Sequence, residues 1–352
     1  MLRELKSQSP NLVVEAYGGK QLEAAGATLL ADTVSNARMG IGAFLRTFEV
    51  LGLLKSLRKR WETVGPPRLV ICCDSWTMNK HFAKLAKEFG AAVLYYISPQ
   101  VWASREKRTE KMAGLIDRLA CILPFEETFL RDRGVNATFV GHPLFDALPP
   151  APGDMKRNEP PVVVMPAGSR RRVAADNFSR QLGVARWMRE QIPGLRLVTP
   201  TVDATDAVVR ELAEGLDWVD VRLNDFDDTV RSADLSICVS GTATLHCVAL
   251  GTPTIALYYV RRWQYAVFKR LVKTDTFVLV NLLHPQKKHV VPEFIPWFGD
   301  PGPVATMSLD WLNSDQLQMH RDEQVAVVES VRKQGAARNV ATMALELLNA
   351  AR

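Results

Sequence analysis

LSICVSGTATLHCVALGTPTIALY, Leu235–Tyr258, reads as a strand, a small-residue turn, a helix and the start of a second strand. The strand LSICVS is apolar and ends at Ser240–Gly241–Thr242–Ala243. The stretch TATLHCVAL then follows, and Thr252–Pro253 opens the next strand. Apolar runs too continuous for a half-exposed strand, separated by a helix, indicate parallel strands covered on both faces. The pattern repeats outward. In the second half, strands are expected over Pro161–Met165, Leu195–Val198 and Trp218–Leu223, besides Leu235–Val239 and Thr254–Tyr258. In the first half they are expected over Leu12–Ala16, Arg68–Cys73, Ala92–Ile97, Arg118–Leu123 and Ala137–Val140. Each is followed by a longer helical stretch, so the chain is α/β with two Rossmann-like parallel-sheet domains.

LPPAPGDMKRNEPP, Leu148–Pro161, separates the halves. It is rich in proline and charge and has no periodicity, as a linker would be. The expected division is therefore 1–147, a linker over 148–161, a second domain over 162–313, and helices over 314–352 that could cross back to the first domain. The last of these is expected at Ala336–Ala350. Two such domains face a cleft, and ligands of such sheets bind beyond the carboxyl ends of the strands. Chemistry should be sought just after each strand.

The 352 residues suffice for two cores, and 47% apolar with 23% charged residues argues against extended disorder. A net charge of +6 suits anionic partners without choosing among them. Five cysteines, four of them in apolar runs, read as buried thiols of a reducing compartment, and no CxxC pair suggests zinc. MLRELKSQSPNL has no apolar signal-peptide core, and no stretch approaches a spanning helix. A cytoplasmic protein with at most peripheral membrane contact is expected.

Five turns carry the candidate chemistry. Ser240–Thr242 offers free N–H groups at a helix start, with small residues that let a diphosphate approach. Taken alone it equals an ordinary hydroxyl-capped turn. Pro166–Ala167–Gly168–Ser169–Arg170 follows the strand PVVVM, and Arg170 could clamp phosphate oxygens, with Arg171 and Arg172 adding field. A solvated arginine run is the plain alternative. Asp74 ends LVICC and is followed by Ser75, Trp76 and Asn79. It is placed as a general base or as a helix cap. Ser98–Pro99–Gln100–Val101–Trp102–Ala103, then Arg105, Lys107, Arg108 and Lys111, could hold a sugar or lipid phosphate, or could be a basic helix face with one packed tryptophan. Gly141–His142–Pro143 could present His142 to a substrate or hold it as a buried structural residue. Asp225–Phe226–Asp227 has the spacing of a metal-binding pair but lies in a cap-like loop and is read as helix capping.

Arg38–Arg60 and Tyr258–Lys273 interleave Lys and Arg with aromatic and aliphatic side chains. Each suits either a buried amphipathic helix or an anionic lipid surface.

In order, these segments resemble the lipid-A-disaccharide synthase family. The resemblance runs through GGKQLEAAG (Gly18–Gly26), MGIGAFL (Met39–Leu45), CDSWTMN (Cys73–Asn79), ISPQVWASREKR (Ile97–Arg108), LPFEETF (Leu123–Phe129), FVGHPLFD (Phe139–Asp146), PAGSR (Pro166–Arg170), SGTATLHC (Ser240–Cys247), FKRLVKTD (Phe268–Asp275) and NLL (Asn281–Leu283). It implies a GT-B fold and an inverting glycosyltransferase that needs no cofactor and no metal. The implied substrates are a UDP-linked acylated glucosamine donor and a lipid monosaccharide phosphate acceptor. It implies Asp74 as catalytic base, and UDP held by Gly168, Ser169, Arg170, Ser240, Gly241, Thr242 and His246. Acceptor or cleft candidates are Asn79, Ser98, Trp102, Arg105 and His142. It further implies a peripheral protein on the inner face of the cytoplasmic membrane, a homodimer as one compatible state, and no nucleic-acid partner.

The chain departs from the family at definite places. It begins inside the helix that follows the family's first strand and loop, so the neighbours of that strand are expected to be exposed. The family's ribose-binding glutamate is His246, the glutamate beyond the GSR arginine is Val173, the one in the MGI segment is Ala43, and HPQKKH (His284–His289) replaces a glycine-arginine-glutamate turn. The alternative they raise is a non-catalytic or altered-substrate relative that binds nucleotide-sugar or lipid. An epimerase of related fold shares only the phosphate turns.

Overall fold

The computed structural model describes residues 1–33, 43–104, 106–155, 157–268 and 274–350. The chain forms two compact units, Met1–Ala147 with Lys333–Arg352, and Leu148–Arg332.

In the first unit β1 (Glu15–Gly18) and β2 (Thr28–Asp32) form a two-stranded parallel sheet. A second parallel sheet has β3 (Leu69–Cys73), β4 (Ala92–Tyr96), β5 (Arg118–Cys121) and β6 (Ala137–Phe139) in sequential order. Cys73 stands opposite Tyr96, and Tyr96 opposite Ala120, so the carboxyl ends of β3, β4 and β5 lie level. One face is covered by the helices Trp76–Glu88 and Ala43–Val64, through Phe82, Leu85, Leu57 and Trp61. Another cluster joins Leu94, Tyr96 and Ala120 to Val340, Ala341 and Ala344 of the helix Ala336–Ala350. Asp146 caps that helix, accepting from the backbone N–H groups of Gly335, Ala336 and Ala337 at 2.7, 3.0 and 2.8 Å.

The second unit holds six parallel strands, β7 (Val162–Val164), β8 (Arg196–Thr201), β9 (Val219–Leu223), β10 (Leu235–Val239), β11 (Thr254–Tyr259) and β12 (Glu293–Trp297), in the order β12-β11-β10-β7-β8-β9. The chain winds outward from β7 to β9, returns to the other side of β7 as β10, and winds outward again. β10 is buried along its whole length, as an unbroken apolar run between two helical layers must be. Val163, Met165, Ile237 and Val239 pack against Phe178, Leu182 and Ala185 of the long helix Arg171–Gln191.

Three expectations shift. The apolar run Leu12–Ala16 does not make the first strand. Leu12 donates to Ser9 O at the end of the helix Leu2–Gln8, Val13 is 83% exposed, and β1 starts at Glu15. β2 and β12 are additional strands. β12 contains Pro296, which reads against a central strand, but it lies at the sheet edge, where a missing N–H costs no ladder bond. The linker segment is fastened to the second unit. Buried Asp234 accepts from Asn158 N at 2.8 Å and Val162 N at 2.7 Å, and Arg321 donates to Gly153 O at 2.9 Å. All five cysteines are free, and four of them are buried.

Candidate active site

The winding of the second unit reverses between β7 and β10, and the two small-residue turns leave these two neighbouring strands. Val239 N donates to Pro166 O at 3.1 Å, which sets the turns side by side. A switch point of this kind opens a crevice at the carboxyl ends. Gly168 has φ +101°, and a Cβ there would stand 3.1 Å from Val173 Cγ1 and 3.8 Å from Val239 Cγ1, so the backbone bend and the close packing both need glycine. Arg170 precedes the helix Arg171–Gln191 and Gly241 precedes the helix Thr242–Ala249. No side chain caps either helix. The hydroxyl-cap alternative for Ser240–Thr242 therefore fails. Ser240 Oγ donates to Phe277 O at 3.1 Å and Thr244 Oγ1 to Gly241 O at 2.8 Å, which leaves the opening N–H groups for an outside acceptor. Ser169, Arg170, Gly241 and Thr242 are exposed, and Arg170 has no acid partner among the described residues. Two uncapped helix starts and one guanidinium without an acid partner among the described residues have the chemistry that suits a di-anion.

One turn further along its helix, His246 packs against Phe226, with ring centroids 4.5 Å apart and the rings tilted by 30°. Its Nε2 is 2.9 Å from Asp227 Oδ1. Burial lowers the imidazole's affinity for a proton, and Asp227 works against that. The capping reading of Asp225–Phe226–Asp227 is thereby corrected. Asp225 holds the cap position without capping, and accepts from Thr229 Oγ1 at 3.2 Å, while Asp227 faces His246. Asp227 escaped the sequence reading because its partner comes from another helix.

In the first unit, Asp74 has φ +50° and Ser75 φ +39°. Two consecutive left-handed non-glycine residues are costly, by on the order of 1–3 kcal/mol each, and persist only when their surroundings hold them. Here the holding groups are visible. Asn79 Nδ2 donates to Cys73 O and to Asp74 O, both at 2.8 Å. Tyr95 OH also donates to Asp74 O, Asp74 N donates to Tyr96 O at 2.9 Å, and Trp76 packs on Tyr95. The bend turns the Asp74 carboxylate outward. It is exposed, caps no helix, and makes no hydrogen bond or ion pair among the described residues. This corrects the cap alternative.

The remaining first-unit candidates are mostly engaged. Asn79 is buried and spends its amide nitrogen on the Asp74 turn. Ser98 is buried, with Oγ on Pro99 O at 3.1 Å. Trp102 gives its indole N–H to Glu126 Oε1 at 3.1 Å and stands edge-on to Phe125. His142 is buried, and its Nδ1 accepts from Leu144 N at 3.2 Å, the structural alternative for that residue. Arg105 lies outside the described residues.

Glu126 is a second group that the sequence reading missed. It occupies the third position of the helix Pro124–Arg131, is 1% exposed, and burial pushes its carboxyl up to about 7. A raised acid binds its proton more tightly in the folded chain than in the unfolded one. This group's contribution to stability therefore falls as pH rises from the ordinary 4.5 to about 7 and is level above that. Denaturant titrations at pH 5 and pH 8 should show wild type losing more stability over that interval than Glu126→Gln does.

Of the two basic-apolar stretches, the first lies partly outside the described residues. Within Ala43–Val64 it buries Leu57 and Trp61, exposes Leu51, and pairs Arg58 with Glu88 and Arg60 with Glu15. In the second, Trp263 is 64% exposed on the helix Arg262–Phe268, and residues 269–273 are not described. Among the described residues no helix is long and apolar enough to cross a membrane, and no group of three His, Cys, Asp or Glu side chains could hold a metal ion.

The fold resembles MnaA from S. aureus, solved with UDP, at a TM-score of 0.65 and 14% identity, covering 99% of this chain and 92% of that one. It also resembles the calicheamicin glycosyltransferase CalG4, at a TM-score of 0.61 and 14% identity, covering 99% and 95%. These likenesses show the fold, two parallel-sheet units of the GT-B type. Sequence goes further. The lipid-A-disaccharide synthase of Geobacter metallireducens is 33% identical over 99% of this chain and 93% of its own length. The sequence pattern described as lipid-A-disaccharide synthetase matches residues 1–346. With its GSR and SGTA turns at the switch point and its Asp74 bend, the chain thus belongs to the lipid-A-disaccharide synthetase family.

Proposed function

We propose that this protein is a hexosyltransferase that forms the lipid A disaccharide, moving an acylated glucosamine from UDP to a lipid monosaccharide phosphate. The observation that carries this is the pair of uncapped turns side by side at the β7/β10 switch point, a built receptor for a diphosphate leaving group. Arg170 and the N–H groups at Thr242 take up charge as the UDP oxygen departs, where preorganised donors act most strongly. Asp74 accepts the proton of the attacking sugar hydroxyl as the new glycosidic bond forms and the bond to UDP breaks. One base with direct attack is a single displacement, so the anomeric centre inverts. The departing charge goes to Arg170 and two helix ends, and no step calls for a metal. Trp263 and the basic stretches suit an acyl-bearing anionic membrane surface, where both lipid substrates reside.

The test is the anomeric configuration of the product, read by proton coupling constants in NMR. An α-linked donor should yield a β-linked disaccharide. A retained configuration would rule out the single displacement from Asp74.

The altered-donor reading is favoured by one observation, His246 held against Asp227 where the family carries glutamate. It changes which nucleoside contacts are made and leaves the diphosphate site as described.

A further inference from the structure

Glu126 is the buried acid that the reaction leaves without a task. Oε1 accepts the Trp102 indole N–H at 3.1 Å, and Oε2 accepts the Leu123 N–H at 3.2 Å. The second bond is half of a capping box, which glutamine makes equally well. The pair of bonds explains the carboxylate. Two N–H donors converge on one side chain, and only a group with two acceptor oxygens satisfies both. An amide would turn its NH₂ toward one of them.

Trp102 is thereby gripped twice by the first turn of the helix Pro124–Arg131, through its N–H by Glu126 and through its ring by Phe125, 5.3 Å away and edge-on. The segment it belongs to, Ser98–Ser104, leaves β4 directly beside the Asp74 bend. Asp74 N donates to Tyr96 O at 2.9 Å, and Ile97, with φ +66°, donates to Ala120 O at 3.0 Å. One side chain thus ties the segment next to the base to the helix that follows β5.

We propose that Glu126 is a positioning residue. Acting through Trp102, it fixes the segment Ser98–Ser104 beside Asp74 and so sets the affinity for the sugar-lipid acceptor without touching it. The inference rests on the reading above in which Asp74 receives the proton of the acceptor's hydroxyl.

The test is a double-mutant cycle in the full chain with E126Q, W102F and the pair, reading acceptor KM, kcat and UDP affinity. E126Q keeps the volume and the capping bond and loses the Trp102 bond. W102F keeps an aromatic ring, though a smaller one, and loses the donor. Each alone should raise acceptor KM about 10-fold, in line with leaving a buried hydrogen-bonding group without its partner. The pair should also show about 10-fold, where independent effects would multiply to about 100-fold. UDP affinity and kcat should stay within about twofold of wild type. Acceptor KM unchanged in both single variants would overturn the proposal, as would multiplicative effects in the pair. If E126Q does not fold, W102F alone carries the first comparison. A wild type that cannot turn over the acceptor contradicts the functional reading instead. The coupling is then read from Trp102 emission, taken as wild type minus W102F. A shift of that spectrum in E126Q supports the proposal, and an unshifted one overturns it.

Discussion

Asp74→Asn should reduce turnover by about 10²–10⁴-fold while leaving UDP affinity within about twofold of wild type, the range expected when a positioned general base is removed. Asparagine preserves size and, like aspartate, tolerates the left-handed backbone that Asp74 adopts at φ +50°. The three side-chain hydrogen bonds that hold the bend go to the carbonyls of Cys73 and Asp74, the fourth runs from the Asp74 N–H, and all survive the change. What is lost is the basic oxygen. The diphosphate turns lie in the other unit, at Gly168–Arg170 and Ser240–Thr242, so UDP binding has no reason to move. UDP release with both lipid substrates measures the first quantity, and titration calorimetry the second. Turnover equal to wild type would remove Asp74 from the mechanism.

Arg170→Ala should change both quantities, weakening UDP binding about 10–100-fold and lowering turnover by about 10²–10³-fold, because a cation beside departing phosphate charge acts on both the bound and the reacting state. Arg170 is exposed and pairs with no acid among the described residues, so its removal leaves no buried charge behind and should not alter the melting temperature by more than a degree or two. Lysine at this position should restore part of the affinity, since it returns the charge without the planar fork. Affinity for UDP unchanged in Arg170→Ala would mean that the diphosphate lies elsewhere.

The sequence made the second unit legible because its strands are buried on both faces. Runs such as PVVVM and LSICVS carry no solvent-facing alternation, and small-residue turns mark where each ends. The switch point could not be read that way. Which strands are neighbours depends on winding, and only the β10–β7 pairing brings the two turns together. In the first unit apolarity misled, as Leu12–Val14 is apolar yet lies in the loop after the helix Leu2–Gln8, while β1 begins at an acid. Site residues divide the same way. Asp74 and Arg170 stand free at strand ends, where a sequence pattern can find them. The partners that decide Trp102 and His246 come from distant positions, Glu126 and Asp227. A hydrogen-bond partner 24 residues away leaves no periodic trace.

The measurement that bears most directly on the central claim is UDP release by the purified chain, given UDP-linked diacylated glucosamine and diacylated glucosamine 1-phosphate in detergent micelles. Release that requires both lipids, with a disaccharide product in equal amount, is the predicted result. UDP that binds the chain while no release occurs with both lipids present would contradict it.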